Sequence, residues 1–168
     1  MPATTTRQPA PATGRAPAAQ HVVDDARPVP SQDRHSLTGP AHFGFVSKYQ
    51  VGSNTPVGQT EFQFNAGDVN FHSSNYDSGS LVISGPLARY TGTGTIKGST
   101  DSYTFLVEAY DCDVTGSCAT SPDGFRIQIT DTTTHTLIYD NVAGGSGALS
   151  QANTEPIASG DIVIHKSS

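Results

Sequence analysis

The chain has 168 residues, a formal net charge of −6, 11 prolines, 17 glycines, two cysteines and no tryptophan. That length fits one domain, or one domain with a tail. The acidic balance argues against nucleic acid or an anionic membrane as partner, because both demand a basic face. No apolar run approaches the ~18 residues of a membrane-spanning helix. Two cysteines are too few for a disulfide-dense scaffold or a four-thiolate zinc site.

Composition divides the chain near residue 41. Residues 1–40 hold seven of the prolines and no Phe or Tyr, and Arg7, Arg15, Arg27 and Arg34 against Asp24, Asp25 and Asp33 leave them at +1. The remainder stands at −7. A Pro/Ala/Thr-rich stretch without aromatics buries too little apolar surface to offset the entropy of ordering it. Residues 1–40 are therefore expected to be a disordered linker or tail, and 41–168 the folded domain. The best apolar run in the tail, Val22-Val23, is too short for the roughly 7–15 residue core of a secretory signal.

From residue 41 onward apolar residues recur at every second position, the period of a strand with one buried face. Phe43 and Phe45 open the pattern, followed by Phe62 and Phe64, then Val69 and Phe71. Residues 90–96 are expected to pair with 103–110 across the turn at 97–102. Gly92 and Gly94 lie inside that strand pattern, and strand glycines mark a bulge or a close approach. An aromatic from a facing strand is expected over them. Phe125, Ile127 and Ile129 alternate with Arg126, Gln128 and Thr130, and this strand is expected to pair with 136–139 across 131–135. Ile162-Val163-Ile164 reads as a short closing strand. No segment carries helical periodicity between caps. The expected fold is all-β, an antiparallel β-sandwich or jelly roll of about 8–10 strands.

Several runs carry a family resemblance. They are Phe43-Gly44-Phe45-Val46-Ser47-Lys48-Tyr49, Pro56-Val57-Gly58-Gln59-Thr60-Glu61-Phe62-Gln63-Phe64, Asn70-Phe71-His72-Ser73, Arg89-Tyr90-Thr91-Gly92-Thr93-Gly94-Thr95-Ile96, Phe125-Arg126-Ile127, Tyr139-Asp140-Asn141 and Ile162-Val163-Ile164-His165-Lys166. In this order they resemble a bacterial β-sandwich module of the post-COAP type. That module recurs near the C-termini of secreted or surface proteins, often after Ig-like, PKD or hyalin-type repeats. The resemblance covers about 42–166. It implies a secreted or cell-surface location and brings no catalytic residues with it. The family's tryptophans near 76–82 and in the Phe125 strand are absent here. Its Gly-rich loop before Phe125 is replaced by a loop containing cysteines.

That loop, Asp111-Cys112-Asp113-Val114-Thr115-Gly116-Ser117-Cys118, is the most informative stretch. Six residues of strand span roughly 20 Å, whereas bridged Cα atoms lie within about 7 Å. A Cys112–Cys118 disulfide therefore requires a reversal, which Thr115-Gly116-Ser117 can supply. The extracellular setting implied by the resemblance favours the bond; two reduced thiols would fit a cytoplasmic protein. Asp111, Asp113 and Asp123 are the candidate ligands of a calcium ion. Their alternation resembles the first half of an oxygen-ligand loop, but Pro122 stands where the bidentate Glu belongs. A solvated acidic loop is the competing reading.

No other constellation forms a known site. The six histidines share no metal-ligand spacing, and Gly144-Gly145-Ser146-Gly147-Ala148 lacks the final glycine of a nucleophile elbow and reads as a flexible loop. Asp77 with Asp101 could form a carboxylate pair only if the fold joins them. Tyr49, Tyr76 and Tyr110 are either sugar-stacking aromatics or packing residues. The expected function is a non-enzymatic extracellular structural or adhesive module. It would bind a protein or polysaccharide at the cell surface, or self-associate. A calcium- or carbohydrate-binding accessory module is the alternative, with calcium then the only cofactor.

Overall fold

The computed structural model describes residues 14–16, 37, 39–142 and 144–165. Most of the expected linker lies outside these residues. The described chain is all-β, with ten strands: β1 (Gly14–Ala16), β2 (Ala41–Lys48), β3 (Val57–Phe64), β4 (Val69–Tyr76), β5 (Val82–Ser84), β6 (Leu87–Ile96), β7 (Tyr103–Tyr110), β8 (Gly124–Asp131), β9 (Leu137–Asp140) and β10 (Glu155–Pro156). The only helical pieces among the described residues are short 3-10 turns at Asn65–Gly67 and Gln151–Asn153.

All strands belong to one antiparallel sheet in the order β1-β2-β3-β4-β6-β7-β8-β10, with β5 also on β6 and β9 also on β8. The layers of the expected sandwich are two halves of this single curled sheet. Phe43 on β2 stacks on Phe125 on β8 with ring centroids 3.8 Å apart. Phe62 and Phe64 on β3 both meet Tyr139 on β9, at 5.0 and 5.2 Å. Strands β2 and β3 thus close face to face with β8 and β9 over the apolar positions that the period-two pattern marks. Phe71, Val107, Phe125, Ile127 and Ile129 are wholly buried, and each such side chain contributes about 1.5–3 kcal/mol relative to an exposed one.

Both expected hairpins form. Leu87–Gly94 pair with Tyr103–Tyr110, and β8 pairs with β9 through Ile129 opposite Tyr139. The two strand glycines serve close packing. A Cβ on Gly92 would strike the Asn75 carbonyl oxygen and the Phe105 ring; one on Gly94 would strike the His72 carbonyl oxygen and the Phe71 ring.

Thr60 occupies a core position, two residues before Phe62 on the same face, and its hydroxyl is buried. It lies 2.8 Å from the Tyr90 hydroxyl and 2.9 Å from that of Tyr76, which donates to the Val46 carbonyl at 2.7 Å. One proton per hydroxyl fixes the direction: Tyr90 donates to Thr60, Thr60 to Tyr76, and Tyr76 to Val46. Burial raises both phenols above their ordinary range.

Residues 162–164 depart from the expected closing strand. Ile162 and Ile164 are buried as the alternation implies, but the segment joins no strand ladder. The N–H groups of Ile162 and Ile164 go to carboxylates instead.

Candidate functional site

The loop between β7 and β8 begins at Asp111 and ends at Asp123, both buried although each is an acid. Asp111 Oδ2 accepts the Ile164 N–H at 2.6 Å, and its Oδ1 accepts the N–H groups of Asp113 at 2.9 Å and Val114 at 3.4 Å. Asp123 Oδ2 accepts the Ile162 N–H at 2.6 Å, and its Oδ1 accepts that of Cys112 at 2.8 Å. Alternate amides of the C-terminal segment are thereby held by the first and the last residue of the loop. Charge-assisted bonds of this kind are roughly twice as strong as neutral ones. Burial pushes the Asp123 carboxyl up, against the pull of the Cys112 and Ile162 amides, and Asp111 and Asp161 add to the push.

The structure brings Asp111 and Asp123 together around this segment, while Asp113 is exposed. All four oxygens of the two buried aspartates are occupied by backbone donors. Cys112 and Cys118 are disulfide-bonded with Cα atoms 4.9 Å apart. Gly116, at φ +69°, makes the left-handed turn within the reversal. The two sulfurs and one Asp123 oxygen lie within 4.8 Å of one another, but joined sulfurs are not the thiolates that metal coordination requires. An open depression of about 350 Å³ beside the bond is lined by Asp113, Pro122 and Asp161 among others.

A second polar cluster was not anticipated from the sequence. The registers place Arg89, Glu108 and Arg126 in one row across β6, β7 and β8. Glu108 sits on the face opposite the core yet is wholly buried. Arg126 grips Asp140 through Nε to Oδ1 at 3.0 Å and Nη2 to Oδ2 at 2.7 Å. Its Nη1 reaches Glu108 Oε2 at 3.2 Å, and Arg89 Nη2 reaches Glu108 Oε1 at 2.6 Å. Two cations and two anions cancel, which is the condition for burying them.

The cover is the glycine-rich stretch expected to be a flexible loop. The Ser146 carbonyl accepts from Arg126 at 3.0 Å and the Gly147 carbonyl from Arg89 at 2.7 Å. Gly145 lies so close to the Arg126 guanidinium that a Cβ would collide with it. Buried Asn153 ties the stretch down, accepting the Ser146 N–H at 3.1 Å and donating to the Ala148 carbonyl. Alternating charge at 89, 108 and 126 becomes a signal only with both registers known, and the long loop between β7 and β8 conceals one of them.

The remaining candidates resolve individually. Tyr76 and Tyr110 are buried, and half-buried Tyr49 donates to the Leu81 carbonyl at 3.1 Å; all three are packing residues. Tyr110 Oη lies 2.9 Å from Ser117 Oγ and 3.1 Å from Thr115 Oγ1, bracing the disulfide loop. Asp77 is engaged by Thr91 and Asp101 by Ser99. His72 stands on the exposed face 3.6 Å from Glu61. No helix of the described residues is long and apolar enough to cross a membrane.

Comparison of the chain with protein-family models, with curated proteins and with solved structures returns no match.

Proposed function

We propose that the domain is a non-catalytic, extracellular structural module of a bacterial surface or secreted protein, similar to the post-COAP type. The observation that carries this reading is where the buried ionisable groups spend their hydrogen bonds. Glu108, Asp111, Asp123, Arg126, Asp131 and Asp140 are the buried acids and Arg among the described residues, and each is engaged by internal partners. A catalytic acid or base needs an accessible face and a substrate-sized cleft; these groups instead join strands, turns and the C-terminal segment. The disulfide supports an oxidising compartment. Such a domain presents a stapled, acidic, Thr/Ser-rich surface for adhesion or assembly.

The test is to fractionate the producing cells and label thiols in the protein as it is recovered. The reading predicts protein in the medium or at the surface, with neither cysteine labelled before reduction. Cytosolic protein with both cysteines labelled would overturn it.

A further inference from the structure

The histidines share no metal-ligand spacing along the chain, but the strand registers bring two of them to one patch. His42 on β2 lies opposite Gln63 on β3, which lies opposite Asn70 on β4. Two residues along, Gly44 lies opposite Glu61, which lies opposite His72. Paired residues point to one side of a sheet and alternate with the core positions, so all six share the face away from the core. They line one depression of about 200 Å³.

Glu61, on the middle strand, stands between the histidines. Its Oε1 is 3.6 Å from His72 Nδ1. His42 is its diagonal neighbour, and diagonal neighbours across a sheet lie within reach of long side chains. Gly44, on the other side of Glu61, brings no side chain into the space. His42 and His72 are two strands and two residues apart. At about 4.8 Å per strand and about 3.4 Å per residue, their Cα atoms are about 12 Å apart. Two imidazoles and two metal–nitrogen bonds of about 2 Å fill that span. His42, Glu61 and His72 are all exposed, so the three turn onto an ion without moving a strand.

Asn70 supplies an independent observation. Its Oδ1 is buried in the wall of the same depression and meets no donor. A buried acceptor without a partner marks the place of a water or an ion. A metal-bound water, or the second ring N–H of a ligating histidine, is such a donor. An isolated Glu61–His72 pair explains neither Asn70 nor the open place at Gly44, and an exposed pair contributes little stability.

We propose that His42, Glu61 and His72 form a binding site for a divalent transition-metal ion on the exposed face of β2, β3 and β4. Imidazole and carboxylate are ligands that suit zinc, and zinc is the ion this set selects over calcium, which takes oxygen ligands alone. Three protein ligands leave the fourth tetrahedral position to water. The site goes beyond the structural-module reading and shares no residue with the 111–123 loop.

The experiment is calorimetric titration of the oxidised full chain with zinc chloride, with imidazole NMR to identify the ligands. His42→Ala, Glu61→Gln and His72→Ala are titrated alongside, and His165→Gln serves as a control away from the depression. The three side chains lie outside the core, and melting without zinc checks that each variant is folded. The expected result is saturable binding of one zinc ion per chain that shifts the His42 and His72 ring resonances. Each of the three variants should bind at least about tenfold more weakly, the loss that even an outer-shell partner of a metal causes, and His165→Gln should bind as the parent does. Absence of saturable binding, affinity retained in any of the three variants, unmoved His42 and His72 resonances, or an equal loss in His165→Gln would each overturn the proposal.

Discussion

Arg126 on β8 and Asp140 on β9 meet through two hydrogen bonds, at 3.0 and 2.7 Å, with side chains 3 % and 8 % exposed. Beneath the loop that follows β9, the Arg126 guanidinium also reaches Glu108. Removing Asp140 takes the bidentate partner from a guanidinium that is 3 % exposed. Asp140→Ala should cost about 3–5 kcal/mol in denaturant unfolding, the range for breaking a buried pair. Replacing Arg89, Glu108, Arg126 and Asp140 together with apolar residues of similar volume should cost far less than the sum of the single changes. A cost below about 1 kcal/mol for Asp140→Ala would place the pair in the ordinary surface class.

Gly92 and Gly94 provide a steric prediction. Each faces a backbone carbonyl on β4 and an aromatic ring, Phe105 and Phe71 respectively. The ladder holds those carbonyls in place, so the strain of an added methyl must be absorbed by the strand. Gly92→Ala should lower stability by about 1–3 kcal/mol, as overpacking does, measured by chemical unfolding. An unchanged midpoint would mean that β4 yields freely there.

Much of the fold is legible in the sequence because burial on one face writes a period of two. Phe125, Ile127 and Ile129, and the glycines at 92 and 94, behave as that pattern implies. The pattern reports which residues are buried, but not which groups their amides find. Ile162 and Ile164 obey it, yet they bond to acids 39 and 53 residues away. Asp111 and Asp123 resemble ligands in sequence because alternating acids near a glycine also suit calcium. Only the fold reveals that backbone donors occupy them. Thr60 was legible in principle, since it shares the parity of Phe62 and Phe64.

The turn after β8 makes the domain sensitive to acid. Asp131 Oδ1 accepts the N–H groups of Thr134 at 2.7 Å and Thr133 at 2.9 Å. These bonds, that from Thr134 foremost, hold its carboxyl below the ordinary 3.8. The folded value is depressed relative to the unfolded one. The contribution is therefore present above 3.8 and is lost as pH falls through the lower, folded value. Asp131→Ala should weaken the domain at neutral pH and flatten the acid end of its stability profile. Carboxyl NMR of Asp131 gives the folded value directly, and titration at or above the ordinary value would contradict this.

The disulfide closes a small loop braced by Tyr110. In the chain-entropy model such a loop contributes roughly 2–2.5 kcal/mol. Cys112→Ser with Cys118→Ser should lower the unfolding free energy by about that amount while leaving the β7–β8 pairing intact by amide exchange. Loss of that pairing would mean that the bond sets the register as well as the loop.

The central claim is that the acids of the 111–123 loop are structural clamps. Hydrogen exchange at the amides of Ile162 and Ile164 tests it most directly, in the wild-type chain with millimolar calcium, with chelator, and in the Asp123→Ala variant. The clamp predicts equal protection with calcium and with chelator. It also predicts a loss of at least about tenfold at Ile162 in the variant, the equivalent of 1.4 kcal/mol of local opening. Slower exchange with calcium, or unchanged protection at Ile162 without the Asp123 carboxylate, would contradict it.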